Sequence, residues 1–211
     1  MKKLVVMAAV AVFGLSNVNA QEVQFGAKAG VNFASIGGDD TDGMDGRTSF
    51  HVGGVAEIKF SEKFSFQPEL LYSSQGSKFE ESESAGGISY SYEEKLKLDY
   101  INIPLMAKYY VAEGFSLEAG PQVGFLVSAN GEYEEVISGG GMDESDSGDA
   151  DVKEFYKGID FGVNIGVGYK MESGLNFGAR YNLGLSDIND VEGYDGKNQN
   201  NVIQVSVGFM F

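Results

Sequence analysis

From Val23 to Phe211 an apolar side chain recurs at every second position, in about eight runs separated by polar connections. The runs are Val23–Phe33, Phe50–Phe60, Phe64–Tyr72, Ile101–Tyr109, Phe115–Val127, Ile159–Tyr169, Leu175–Leu185 and Ile203–Phe211. They put about 46 residues on one face, none charged, although 22% of the chain is charged. A period of two is the geometry of a strand, whose successive side chains point to opposite faces. The chain is therefore all-β.

The connections alternate in length. Ser61–Lys63, Val111–Glu113 and Met171–Ser173 are tight turns that pair Phe60 with Phe64, Tyr109 with Phe115 and Tyr169 with Leu175. Ala34–Ser49, part of Ser73–Tyr100, Ser128–Gly158 and Ser186–Val202 are long. Short on one side and long on the other is the pattern of an up-and-down meander in an outer membrane.

Alternation alone does not say which face points inward, and a soluble lipocalin-like barrel would turn its apolar face in. Volume decides. So many Phe, Tyr, Leu and Ile residues exceed what an eight-stranded lumen holds. The opposite face carries glycine, amides and scattered charge, as in Gly26, Lys28, Gly30, Asn32 and Asp160, Gly162, Asn164, Gly166, Gly168. Thirty of 211 residues are glycine, about twice the usual 7%. Aromatics cluster beside the short turns (Phe60, Phe64, Tyr109, Phe115, Tyr169, Phe209) and near the long loops (Phe33, Phe50, Tyr72, Tyr181), as interfacial girdles do. An open edge in hydrocarbon leaves backbone groups unsatisfied, so the sheet must close. The expected fold is one eight-stranded antiparallel transmembrane barrel, with termini and short turns in the periplasm and four long loops outside. Pro68, Pro104 and Pro121 lie within strands and predict bulges. A parity change between Leu96/Leu98 and Ile101/Ile103 predicts an irregularity near Tyr100.

Residues 1–20 read as a separate segment. Lys2 and Lys3 precede an apolar stretch from Leu4 to Leu15, and Val18 and Ala20 suit cleavage before Gln21, which is the plan of a secretory signal peptide. The stretch is shorter than the roughly 20 residues a transmembrane helix needs. Domain 21–211 is then the barrel, and losing the two lysines takes the net charge from −16 to −18. Such acidity excludes generic nucleic-acid binding, which needs clustered Lys and Arg. The absence of Cys removes disulfides and thiolate chemistry, and a single His cannot build a multi-His zinc site. No cofactor is expected.

Three groups of residues are candidates for function. The inward charges Lys28, Glu57, Lys59, Glu69, Lys108, Glu118 and Arg180 read either as an ion pathway or, in preference, as a salt-bridged plug. The expected hairpin registers set Arg180 opposite Asn164 and Glu118 diagonal to Lys108. His51 and Ser49 share one side of a strand, a pair that could serve lipid hydrolysis, but no acid stands at matching spacing to orient the imidazole. His51 is therefore expected as a polar lumen or rim residue. In segment 143–154 the acids Asp143, Asp149, Asp151 and Glu154, with Gly148 at the sixth position, echo a calcium loop. Ser145 and Ser147 replace expected acids, so a solvated acidic loop is preferred.

Four stretches carry a family resemblance: Phe66-Gln67-Pro68-Glu69-Leu70-Leu71-Tyr72-Ser73, Leu98-Asp99-Tyr100-Ile101-Asn102-Ile103-Pro104-Leu105, Lys108-Tyr109 and Glu118-Ala119-Gly120-Pro121-Gln122. They resemble the PorT-type outer membrane protein beta-barrel domain family of Gram-negative bacteria. The resemblance spans the mature chain and implies an eight-stranded barrel of the OmpA/OmpX size class, without an assigned activity for most members. The terminal aromatic, Phe211, is similar to the signal read by the barrel-assembly machinery. The expected protein is a non-enzymatic, monomeric outer-membrane barrel in contact with membrane lipid. Its role is structural or one of surface interaction through the acidic outer loops, which otherwise stay hydrated, with a surface or periplasmic protein of unknown identity as the candidate partner. A narrow channel is the alternative, and a lipid-modifying enzyme the more remote one.

Overall fold

The computed structural model describes residues 22–211. The signal segment 1–20 lies outside the described residues. Nine strands follow one another: β1 (Glu22–Gly38), β2 (Met44–Lys59), β3 (Phe64–Ala85), β4 (Ile88–Ala112), β5 (Phe115–Gly139), β6 (Met142–Asp151), β7 (Ile159–Lys170), β8 (Leu175–Gly184) and β9 (Asn198–Met210). Every pairing is antiparallel, and eight strands close a ring in the order β1-β2-β3-β4-β5-β7-β8-β9. β6 stands outside the ring and bonds the upper half of β5.

The faces are inverted relative to a soluble barrel. Phe25, Phe33, Phe50, Leu70, Ile165 and Ile203 are exposed, while Asn32, His51, Glu57, Glu69, Asn164 and Arg180 are buried. The girdle aromatics touch in pairs: Phe64 with Tyr109 (ring centroids 4.8 Å), Phe209 with Phe211 (5.6 Å) and Phe50 with Tyr72 (5.7 Å).

Several expectations are corrected. The upper connections are mostly strand. β3 and β4 continue to a two-residue turn at Gly86 (φ +63) and Gly87 (φ +81), the backbone that a type I′ hairpin requires. β5 and β6 continue likewise to Gly140 and Gly141. Among the four, only the segment between β8 and β9 stays long and irregular. Two turns shift register by two residues, because the strands run further than their apolar positions: Tyr109 faces Leu117 and Tyr169 faces Phe177. Consequently Arg180 lies opposite Gly166, and Glu118 lies directly opposite Lys108.

The prolines produce no bulge. Pro68 faces Leu105, Pro104 faces Gln122 and Pro121 faces Val163 without a register break at any of them. The irregularity near Tyr100 exists, but its extra residue is Val127 on β5: Tyr100 faces Leu126 while Asp99 faces Ser128. On β4 the parity holds. Leu98, Tyr100 and Asn102 all point inward and are buried. What changes near Tyr100 is the chemistry of the inner face, from polar below to apolar above.

Candidate functional site

The lumen is filled in layers, starting from the short-turn end. At the rim Lys59 pairs with Glu22 at 3.1 Å, both partly exposed, so Lys59 stands apart from the central charges. Next, Glu57 accepts from Lys170 Nζ (2.8 Å), Ser65 Oγ (2.7 Å) and the Tyr110 hydroxyl. The belt above is the densest. Glu69 takes both guanidinium nitrogens of Arg180 (3.0 and 2.8 Å), Lys28 Nζ (2.9 Å) and Gln67 Nε2 (2.7 Å). Arg180 also reaches Glu118 (3.4 Å), which pairs with Lys108 at 3.2 Å. Gly168 makes this possible: a Cβ there would sit 2.4 Å from Glu118 Oε1.

An amide layer follows. Asn32 Oδ1 receives Gln204 Nε2 (3.0 Å) and lies 2.7 Å from His51 Nδ1, while Asn32 Nδ2 donates to Ser73 Oγ and the Ser74 carbonyl. Ser49 donates to the Ser74 carbonyl at 2.6 Å, so Ser49 and His51 serve separate partners. Above it, Asp160 accepts from Ser186 Oγ (2.6 Å) and Asn200 Nδ2 (3.0 Å). An apolar cork then closes the mouth: Ile36, Leu98, Tyr100, Leu126, Ala129 and Ile188 pack together, with Val152 and Tyr156 against them.

The segment carrying Ile188 is latched. Asp187 binds Lys157 Nζ at 2.5 Å and accepts the N–H groups of Asn189 and Asn198, both at 3.1 Å. Partial burial opposes ionisation of Asp187. The Lys157 ammonium and the two N–H groups outweigh it and hold the carboxyl below the usual carboxylate range.

Inside the wall, Lys28, Lys108, Lys170 and Arg180 pair with Glu57, Glu69 and Glu118, while Asp160 is held by the neutral donors Ser186 and Asn200, so four cations stand against four acids. Sequence reasoning missed Lys170 and set Asp160 on the inner face without counting it among the charges. Both keep the parity of Asn164 and Gly168 on β7, a signal available without coordinates.

The acid excess lies above the ring, where β3, β4, β5 and β6 rise as a four-stranded sheet. Segment 143–154 is part of it: β6 is a strand, not a twelve-residue loop, and Asp143, Asp149 and Asp151 share one side of it. Glu154 sits in a single 3-10 turn beyond. Among the described residues, no three His, Cys, Asp or Glu side chains gather as a metal site. The acids along β6 also guard its free edge, since like-charged copies repel before they pair.

The two faces of the raised sheet differ. One holds its three lysines, Lys78, Lys95 and Lys97, each paired with a glutamate: Glu80 at 2.6 Å, Glu93 at 2.8 Å, and Glu132. The other continues the lumen side of the wall and carries aromatics among carboxylates. Tyr92 stands between Glu81 and Glu135, with Asp146 next across, and Tyr90 stands between Glu83 and Ile137. Glu94 lies between Phe79 and Tyr133. The Tyr133 ring lies over Gly148, where a Cβ would come within 2.7 Å of it. Desolvation with nearby Glu135 and Glu81 pushes the Tyr90 hydroxyl up, and the Asp146 carboxylate does the same to Tyr133.

The sequence matches the family model described as outer membrane protein beta-barrel domain over residues 19–190. No curated protein matches it. Among solved structures it is similar to Ail, the attachment invasion locus protein of Yersinia pestis, at 12% identity, 90% coverage of this chain, 99% of that one and TM-score 0.47. For Neisserial surface protein A (NspA) the figures are 13%, 90%, 99% and 0.48. For the outer membrane protein OprG from Pseudomonas aeruginosa they are 11%, 90%, 95% and 0.37. With a closed ring, an apolar exterior and a family match across most of its length, the chain belongs to the outer membrane protein beta-barrel domain family.

Proposed function

We propose that this outer-membrane barrel is a non-enzymatic anchor that presents the raised β3–β6 sheet as a docking surface at the cell exterior. The observation that carries the reading is the division of labour along the wall. The lumen is crossed by paired charges and closed by an apolar cork, whereas the raised sheet leaves Tyr133, Glu81, Glu94 and Asp146 exposed and Tyr90 and Tyr92 half-buried. A filled, neutral interior supports a structural role for Lys28, Glu57, Glu69, Lys108, Glu118 and Arg180 as a plug. The separate partners of His51 and Ser49 support the absence of hydrolysis. The four motif stretches support a PorT-type barrel, and Phe211, whose N–H bonds the Phe25 carbonyl at 2.7 Å, is read as the assembly signal. Acids guarding the β6 edge support a monomer.

The test is a trimmed barrel. Replacing residues 79–94 and 132–149 each by Asn-Gly keeps the registers Lys78 with Lys95 and Gly131 with Ala150. The trimmed chain is expected to insert and fold yet lose the cross-links that the full chain forms at the surface of its own cell. Retention of those cross-links would overturn the reading.

A further inference from the structure

We propose that the tyrosine face of the raised sheet binds an extended cationic polypeptide segment, its Lys or Arg side chains lying over Tyr90, Tyr92 and Tyr133 between the flanking carboxylates. The inference rests on the docking role above and names the chemistry of the partner.

Three observations carry it. First, charge is segregated. All three lysines of the raised sheet lie on the opposite face, each with a glutamate, and the tyrosine face has no Lys or Arg against Glu81, Glu83, Glu94, Glu135, Glu144 and Asp146. Second, Glu135 lies directly across from Asp146. Like charges opposed on neighbouring strands destabilise a sheet, and no cation of the raised sheet stands on that face to relieve this pair. Third, the rings are set where a cation needs them. A guanidinium or ammonium over a tyrosine gains from the ring face and, in the same position, from carboxylates on either side. Tyr92, between Glu81 and Glu135, is the best formed of these seats.

Spacing selects an extended peptide over scattered cations. Successive rows of the face are two residues apart, about 6.8 Å, which is also the interval between alternate side chains of an extended chain. A segment with a cation at every second residue running along β4 therefore meets the Tyr90, Tyr92 and Glu94 rows in turn. Anionic ligands are repelled by the same charges.

The probe is a fluorescent alternating Arg-Ser decapeptide, titrated by anisotropy against the full mature chain in nanodiscs of zwitterionic lipid at low salt. Saturable binding is expected. The triple variant Glu81→Gln, Glu135→Gln, Asp146→Asn should weaken it about tenfold or more. The same charge change on the other face, Glu134→Gln, Asp143→Asn, Asp149→Asn, should shift it by less than about threefold. Tyr90→Ala with Tyr92→Ala should cost about fivefold, and the matching Phe variants should keep most of the affinity, because the ring and not the hydroxyl does the binding. Equal losses in the two charge variants, or no saturable binding by the unaltered chain, would overturn the proposal. If the peptide fails to bind while trimming still abolishes the cell-surface cross-links, the cationic partner falls and the docking role stands. If trimming leaves the cross-links intact, the docking role falls and this proposal with it.

Discussion

The belt around Glu69 and the sheet around Tyr92 share the strands β3, β4 and β5, within one continuous pairing register from β3 to β4. In the belt every charge has an opposite charge in reach, and Glu69 alone accepts four bonds at 2.7–3.0 Å. Twelve residues further along β3, from Glu69 to Glu81, the same side of the sheet presents carboxylates with no cation among them. The strand geometry is identical, and the surroundings differ. An unpaired ion is costly in a narrow lumen, so the charges there are paired or, as at Asp160, held by neutral donors. A sheet standing in water tolerates excess charge, which is screened over about 10 Å or less. Balance therefore marks the part that holds the fold, and imbalance marks the part free to meet a partner.

The sharpest way to break this contrast is to delete one acid from each region. Glu69→Ala strands Arg180 and Lys28 in the lumen and should destabilise the barrel by about 3–5 kcal/mol. Glu81→Ala in the raised sheet should change stability by no more than about 0.5 kcal/mol. Urea unfolding in micelles followed by circular dichroism compares the two; equal effects would erase the distinction. The cork is next. Leu98→Ala removes a fully buried side chain and should cost about 2–3 kcal/mol in the same assay. Gly168→Ala forces the Glu118 carboxylate away from its contact position and should cost about 1–3 kcal/mol. Gly168→Ala should cost less when made in a Glu118→Ala background, where no carboxylate meets the added methyl.

The smallest effect concerns the latch at Asp187. Its carboxyl is held below the usual range when folded, so its contribution is fully present above the ordinary carboxylate pKa. It is lost as pH falls through the lowered value. Protection of the Ile188 and Asn198 amides against exchange, taken relative to the intrinsic rate at each pH, should fall on acidification below pH 5 while β7 amides stay protected. Unchanged protection there would remove Asp187 as the latch.

How much could be read without coordinates follows the same division. The apolar and glycine faces of β7, Ile159–Tyr169 against Asp160–Gly168, differ so strongly that period and orientation were both legible. In the raised sheet both faces are wet, so alternation is polar against aromatic and a strand looks like a loop. The Gly86-Gly87 and Gly140-Gly141 pairs were the available sign of hairpins. The cork was hidden for the opposite reason. Leu98, Leu126 and Ile36 are apolar residues on the polar side, and only the extra residue at Val127 turns Ala129 inward beside Leu126. The membership of Lys28, Glu69, Lys108, Glu118 and Arg180 in one belt was visible as parity. Which acid meets which base was not, because a two-residue change in turn length slides every partner along the wall.

The most direct test of a sealed barrel that works through its raised sheet is planar-bilayer recording of the purified mature chain. The expected record is a baseline indistinguishable from protein-free lipid across the voltage range, for the full and the trimmed chain alike. Reproducible stepwise openings of the full chain, absent from protein-free lipid, would contradict the account and make the ion belt a conduction path instead of a plug.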